Sequence, residues 1–281
     1  MTLRPLVDLH LHTTASDGLC TPAQLVEQAS IAGLTTLAVT DHDTTAAVAP
    51  ARALCAAAGL TLVPGIEITA MEGTRDVHIL GYFFDPAHER LQAFLVRARA
   101  SRLARIEAIA ERLAVLGIAI DTTSLFGEAD KENGRSIGRP QLARALVAAG
   151  HASDVSDAFD RWLARGRPAF VPRSGASAEE VIATLHDAGG LASLAHPVLA
   201  GMDSRIPALR AAGLDALEAY HSEHDPQTRD RYLSLARSLE MFVTGGSDYH
   251  GDPAYGLAPG TVTLPAQEWE RLSTWPQRSS R

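Results

Sequence analysis

Six of the eleven histidines stand where a short apolar run ends or begins. His10 and His12 close the run Leu6–Leu11, His42 follows Thr36–Thr40, and His196 follows Leu191–Ala195. His250 ends Gly245-Gly246-Ser247-Asp248-Tyr249-His250, which follows Met241–Thr244, and His78 comes early in the run Val77–Phe84 or just before it. Acidic residues accompany them: Asp8, Asp17, Asp41, Glu67 and Asp248. Alternation along a strand turns both rings of His10-Leu-His12 to one face, at a spacing suited to one metal ion. Imidazole and carboxylate without thiolate suit Zn, Mn or Fe(II). Each piece alone has a plainer reading. The histidine pair reads as a polar patch, Asp41-His42 as a cap or turn, His196 before Pro197 as a hydrogen-bonded histidine, and Glu67 as the start of a loop. Repeated at successive strand ends, the pieces point to a multinuclear metal site.

Side chains so distant in sequence meet only if the elements carrying them open on one mouth, as the strand ends of an α/β barrel do. The first eighty residues fit that demand. Strand Leu6–Leu11 leads to a helix opened by Thr21-Pro22 and stopped at Gly33. Strand Thr36–Thr40 precedes helix Thr45–Ala58, and strand Leu60–Pro64 precedes Gly65-Ile66-Glu67 and strand Val77–Phe84. This β-α-β-α-β rhythm predicts a parallel sheet or barrel. From His88 to Leu116 a long helical pattern replaces it, followed by helices near Arg139–Ala149 and Val155–Arg165, joined by the polar segment Asp130–Gly138. The rhythm resumes with strand Ala169–Pro172, helix Ala178–Ala188, strand Leu191–Ala195, a helix near Ile206–Ala212, strand Ala216–Tyr220 and helix Pro226–Leu239. The expected organisation is one barrel domain from residues 1–87 and 169–281, with 88–168 a helical insertion capping the site.

The composition of the 281 residues limits the chemistry further. A hydrophobic fraction of 46% sustains a full core. No apolar run reaches the roughly 18 residues that span a bilayer. The start, MTLRPLVDLHLH, has a single Arg and no long apolar stretch, so it does not read as a signal peptide and the expected location is cytoplasmic. Cys20 and Cys55 make neither a disulfide framework nor a thiolate zinc site. Lys131 is the only lysine and falls in the polar loop EADKENGR, which disfavours P-loop, Schiff-base and lysine-bridged metal chemistry. A net charge of −8 argues against long nucleic acid as a partner, though not against a small phosphorylated substrate held by local arginines. Nothing implies a membrane or a protein partner.

The motifs Asp8-Leu-His-Leu-His12, Thr40-Asp-His-Asp43, Gly65-Ile-Glu67, His196-Pro197 and Gly246-Ser-Asp-Tyr-His250 resemble those of the PHP (polymerase and histidinol phosphatase) superfamily. They occur in order over nearly the whole chain. The resemblance is closest to stand-alone phosphoesterases with a helical insertion, namely 3′,5′-nucleoside bisphosphate phosphatases and short-RNA 5′-to-3′ exoribonucleases, whose insertion Ser136-Ile-Gly-Arg-Pro140 also resembles. It implies a distorted (β/α)7 barrel holding three divalent metal ions, manganese the first choice and Fe2+ or Zn2+ the others. Carried onto this chain, His10, His12, Glu67 and Asp248 would hold the first ion. Glu67 would bridge to a second, completed by His78 and His196, while Asp17, His42 and His250 would hold the third. Some members have His where this chain has Asp17. Asp8 and Asp41 read as partners orienting imidazoles, or as plain caps.

Such a site suits phosphoester hydrolysis, with metal-activated hydroxide attacking phosphorus. Glu67 serves that chemistry as the bridge, and His221 in Tyr220-His-Ser-Glu-His224 is the candidate acid or phosphate ligand. His224 is a weaker phosphate-binding candidate, and the plain alternative for both is a hydrogen-bonded surface histidine. Arg135, Arg139 and Arg173 are candidates to clamp a second phosphate, because the guanidinium fork matches its oxygens. Arg97, Arg99, Arg102, Arg105 and Arg112 read instead as a solvated helix face, and His88, His151 and His186 fall on predicted helices without a role. The favoured activity is removal of the 3′-phosphate from a nucleoside 3′,5′-bisphosphate, leaving the 5′-monophosphate. The alternatives are trimming of short 5′-phosphorylated RNA, a histidinol-phosphate-type phosphatase and, more remotely, an amidohydrolase or a non-catalytic metal-binding module.

Overall fold

The structure, a computed structural model, describes residues 5–123, 125 and 134–275. Lys131, the start of the polar segment Asp130–Gly138 around it and the last six residues lie outside the described residues. Seven strands pair in sequence order: β1 (Val7–Leu11), β2 (Thr36–Val39), β3 (Thr61–Glu72), β4 (Arg75–Tyr82), β5 (Leu191–Leu194), β6 (Ala216–Tyr220) and β7 (Phe242–Gly245). The last strand's continuation returns to the first, where the His12 N–H donates to the Tyr249 carbonyl at 2.9 Å. The result is a nearly closed α/β barrel. Strands β1, β2 and β5 are buried along their whole length, as apolar strands covered on both faces must be.

Local chemistry sets the helices between them. Thr21 caps α1 (Pro22–Ile31) in a capping box with Gln24, and α2 (Val48–Ala58) stops at Gly59, whose φ of 72° is left-handed. The long α3 (Glu89–Val115) spans about 40 Å. Its first turns place Leu91, Phe94 and Leu95 in the main core against the sheet. Its later turns place Ile106, Ile109 and Leu113 in a separate small core with Leu142 and Leu146 of α4 (Arg139–Ala148). A short turn, Val155–Ala158, then runs into a π-helical turn, Phe159–Leu163. The helices α5 (Ala178–Asp187), α6 (Ile206–Ala211), α7 (Pro226–Ser238) and α8 (Ala266–Leu272) complete the outer layer. No helix among the described residues is long and apolar enough to cross a membrane.

Three expectations need correction. The strand containing Val77 is not parallel to its neighbours: β4 pairs antiparallel with both β3 and β5. Only Gly73 and Thr74 separate β3 from β4, too short for the crossover a parallel pair requires. The segment Ala169–Pro172 is not a strand. Its carbonyls go to α3 side chains instead: Arg112 donates to Phe170 and Arg105 to Val171, so the chain lies along the helix rather than in the sheet. His151 stands in the turn after α4 rather than on a helix, where its Nε2 lies 2.9 Å from the Ala119 carbonyl.

Candidate metal centre

The site is assembled from the loops and strand ends at one mouth of the barrel. Its central group is Glu67, 1% exposed, in the middle of β3. One carboxylate oxygen, Oε2, lies 3.2 Å from Nε2 of His10, 3.2 Å from Nε2 of His12 and 3.3 Å from Nδ1 of His42. The other, Oε1, lies 2.6 Å from Nδ1 of His78 and 3.1 Å from Nε2 of His196. Asp248 Oδ1 faces His10 and His12 at 3.2 Å each. Asp17 gathers a further set, with His250 at 3.4 Å, His42 at 3.6 Å and His12 at 3.8 Å. All nine residues expected as ligands therefore meet in one cluster. The division differs in detail, because His12 also faces Asp17 and His42 also faces Glu67.

The donor set fits divalent cations. Both ring nitrogens of His12 and the Nδ1 atoms of His42 and His78 are buried yet make no hydrogen bond. One nitrogen of each ring and the carboxylate oxygens converge, with the atoms of each ligand group within 4.8 Å of one another. Electrostatics favour the ionised carboxylates that a cation requires. Burial opposes ionisation of Glu67, but His42, His78 and His10 together hold its carboxyl well below the usual range. Burial is likewise outweighed at Asp248 by His10 and His250, and at Asp17 by His42 and His250.

Asp8 and Asp41 accept from backbone N–H and hydroxyl groups rather than from imidazoles. Asp8 accepts from Ser247 N–H at 3.0 Å, Ser247 Oγ at 2.7 Å and Gly260 N–H at 2.8 Å, tying β1 to the loop that carries Asp248. The two segments pass so closely at Gly246 that a Cβ there would lie 2.3 Å from the His10 nitrogen. Asp41 accepts from Thr13 N–H, Thr13 Oγ1 and Ser16 Oγ, which folds the loop carrying Asp17 into the site. An imidazole partner does exist, and the sequence did not reveal it. Glu218 in β6 is fully buried, and its Oε1 accepts from His10 Nδ1 at 2.9 Å. Its only signal is a carboxylate in the middle of the apolar strand Ala216–Tyr220.

His221 is buried rather than on the surface, 4% exposed. Its Nδ1 accepts the Glu223 N–H at 3.1 Å, which leaves the ring proton on Nε2, 3.3 Å from Asp248 Oδ2. A cavity of about 320 Å³ reaches it and is lined also by Asp17, Asp248, His250, Val155, Phe159 and Leu199. His224 is not brought to this cavity. Its Nδ1–H donates to the Ala219 carbonyl at 2.9 Å and its ring lies against Tyr232.

A second group adjoins the histidines. Arg102 and Arg105, read from sequence as a solvated face, are each only 6% exposed. Arg102 donates to Asp43 at 2.8 Å, and Arg105 lies 3.4 Å from Asp76. Asp43 directly follows His42, and Asp76 precedes His78 by two residues, so the helix face is drawn onto the site's edge. Arg173 joins at 3.9 Å from Asp43 and 3.8 Å from Asp76, and Arg139 lies 3.6 Å from Asp76. Four guanidiniums thus share two carboxylates. Burial and the neighbouring Arg102 push Arg173 down to about 9, and burial and Arg105 push Arg139 down to about 10. Arg135 is placed differently, donating to the Thr14 carbonyl at 2.9 Å. The spacing of Arg99, Arg102 and Arg105 at every third position was the available sign of one shared face.

Known proteins resemble this chain in sequence and fold. The PHP domain profile matches residues 8–105. The chain is 37% identical to the 5′-3′ exoribonuclease Rnm of Escherichia coli, over 97% of each chain. It is 32% identical to a 3′,5′-nucleoside bisphosphate phosphatase of Chromobacterium violaceum, over 92% of each. Among solved structures, a Bifidobacterium adolescentis protein described as a metal-dependent phosphoesterase superposes with a TM-score of 0.88 at 35% identity, covering 97% of both chains.

Proposed function

The chain belongs to the PHP family of metal-dependent phosphoesterases and is a phosphoric ester hydrolase, and on that premise we propose that it removes the 3′-phosphate of nucleoside 3′,5′-bisphosphates. The observation that carries this reading is the excess of buried positive charge beside the metal ligands. Among the described residues, Arg102, Arg105, Arg139 and Arg173 share two carboxylates, Asp43 and Asp76, which leaves guanidinium capacity for an anion other than the one being hydrolysed. In this reading Arg173 and Arg139, supported by Arg102 and Arg105, hold the 5′-phosphate.

His10, His12, Glu67 and Asp248 are proposed to hold one ion, Glu67, His78 and His196 a second, and Asp17, His42 and His250 a third, manganese being the first choice. When bound, such cations neutralise phosphoryl oxygens and lower the pKa of water. The protein's own contribution is placement. Glu67 directs its two oxygens to opposite sets of imidazoles, and His221 presents an Nε2–H on the cavity wall, where it would hydrogen-bond the charge developing on the departing O3′. The segment 88–168 is proposed to cap the mouth. Ser136 N–H, Arg135, Gln141 and Arg144 all donate to carbonyls of residues 14–17, holding the loop that bears Asp17.

Trimming of short RNA from a phosphorylated 5′ end breaks the same P–O3′ bond, and the 37% identity to an exoribonuclease favours it as a second reading. Phosphate and product release from adenosine 3′,5′-bisphosphate, AMP and a 5′-phosphorylated dinucleotide distinguishes the two. Loss of one phosphate from the bisphosphate with AMP left intact supports the first reading. Cleavage of the dinucleotide alone selects the second, and turnover of none of the three overturns both.

A further inference from the structure

Glu218 satisfies two donors from two different parts of the chain with its two oxygens. Oε1 accepts from His10 Nδ1 on β1 at 2.9 Å, and Oε2 accepts from the backbone N–H of His196, after β5, at 2.7 Å. The two rings that follow from these anchors lie stacked, with centroids 5.8 Å apart and planes 19° apart. Their outward nitrogens reach opposite oxygens of Glu67: His10 Nε2 to Oε2 at 3.2 Å and His196 Nε2 to Oε1 at 3.1 Å. One buried carboxylate therefore backs the two imidazoles that flank the central carboxylate.

Each anchor has its own chemical consequence. A hydrogen bond from His10 Nδ1–H to a carboxylate fixes the tautomer and leaves the Nε2 lone pair for a cation. His196 needs help of another kind. Its φ of 25° is in the left-handed region, which a residue other than glycine adopts only when its surroundings enforce it, and Pro197 follows it. The Glu218 oxygen on its N–H supplies that enforcement. Glu218, His10 and His221 lie within ligand range of one another. A ligand role for Glu218 conflicts with the geometry, because both oxygens already accept N–H donors and His10 Nδ1 carries the proton.

We propose that Glu218 is a positioning residue that sets His10 and His196 together, so that the cation positions on the two sides of Glu67 form or fail as a pair. The proposal rests on the ligand assignment given above. It predicts that Glu218→Gln, whose amide offers one acceptor where two donors need one each, weakens binding at both of those positions by roughly 10- to 100-fold. The position built on Asp17, His42 and His250 remains.

Calorimetric titration of metal-free protein with Mn2+, with ion content after dialysis, is the test. Wild-type protein binding three ions and Glu218→Gln retaining one support it. A variant that binds as many ions as wild type, with dissociation constants within about threefold, overturns it. Loss of a single ion overturns the pairing. Wild-type protein that takes up no ion overturns the ligand assignment instead. If the variant does not fold, nitrogen-15 histidine spectra of Zn2+-loaded wild-type protein decide. His10 protonated at Nδ1 supports the proposal, and His10 protonated at Nε2 overturns it.

Discussion

His78 Nδ1 lies 2.6 Å from Glu67 Oε1, and a reversal of strand direction puts it there. In the β3–β4 ladder His78 pairs with Thr69, two residues beyond Glu67 and on the same face, so the imidazole reaches the carboxylate diagonally. In a parallel barrel the beginning of a strand would face away from the mouth. Because β4 runs backwards, its beginning is at the mouth and His78 joins residues that arrive from strand ends.

Arg173 is expected to distinguish substrates by their second phosphate. Arg173→Met should lower kcat/KM on adenosine 3′,5′-bisphosphate about 10- to 100-fold more than on adenosine 3′-monophosphate, the worth of one charge-assisted hydrogen bond. Equal losses on the two substrates would place the 5′-phosphate elsewhere.

His221 should matter in proportion to the charge that develops on the leaving oxygen. His221→Asn is expected to slow the 3′-nucleotide reaction about 100-fold or more, yet to slow p-nitrophenyl phosphate, whose phenolate leaves unaided, less than tenfold. A uniform loss on both would assign the residue to holding Asp248, 3.3 Å away, rather than to stabilising the leaving oxygen.

Asp43 carries the buried charge balance at the edge of the site. It accepts from Arg102 at 2.8 Å and from Thr69 N–H at 2.9 Å, and Arg102 and Arg173 outweigh its burial to keep the carboxyl below its ordinary range. Asp43→Ala leaves Arg102 buried beside three other guanidiniums and should cost about 3–5 kcal/mol in urea unfolding. A cost below about 1 kcal/mol would show that the cluster does not need this carboxylate.

The sequence carried the ligands and not their backing. Histidines and carboxylates at run ends pointed to the site, because strand-end placement is local information, and the family resemblance singled out from them the nine residues that the fold brings together. Glu218, Arg102 and Arg105 were not legible in the same way. Each is a charged residue inside an ordinary strand or helix pattern, and only tertiary packing shows which face of α3 is turned inward. The strand expected at Ala169–Pro172 failed for a related reason. Its apolar residues suit a strand, but Arg105 and Arg112 from α3 take its carbonyls.

Away from the site, His186 should give the fold a measurable pH dependence. Its Nε2 donates to Asp215 Oδ2 at 2.7 Å, and this bond raises the imidazole above its ordinary value despite partial burial. A raised folded value means that the protonated form stabilises. The contribution is full below the ordinary imidazole range and is lost as pH rises through the folded value. Wild-type stability should therefore fall more than that of His186→Gln between about pH 6 and pH 9. Parallel pH profiles of the melting temperature would contradict this.

The central claim is that divalent cations held around Glu67 carry the hydrolysis. Its most direct test is phosphate release from adenosine 3′,5′-bisphosphate, with bound ions counted in the same sample, before chelation, after chelation and after Mn2+ is returned. Glu67→Gln is measured beside the wild type. The account predicts that chelated wild-type protein is inactive and regains activity as ions rebind, while Glu67→Gln binds fewer ions and stays about 1,000-fold slower. Full activity in chelated protein, or near-normal turnover by Glu67→Gln, would contradict it.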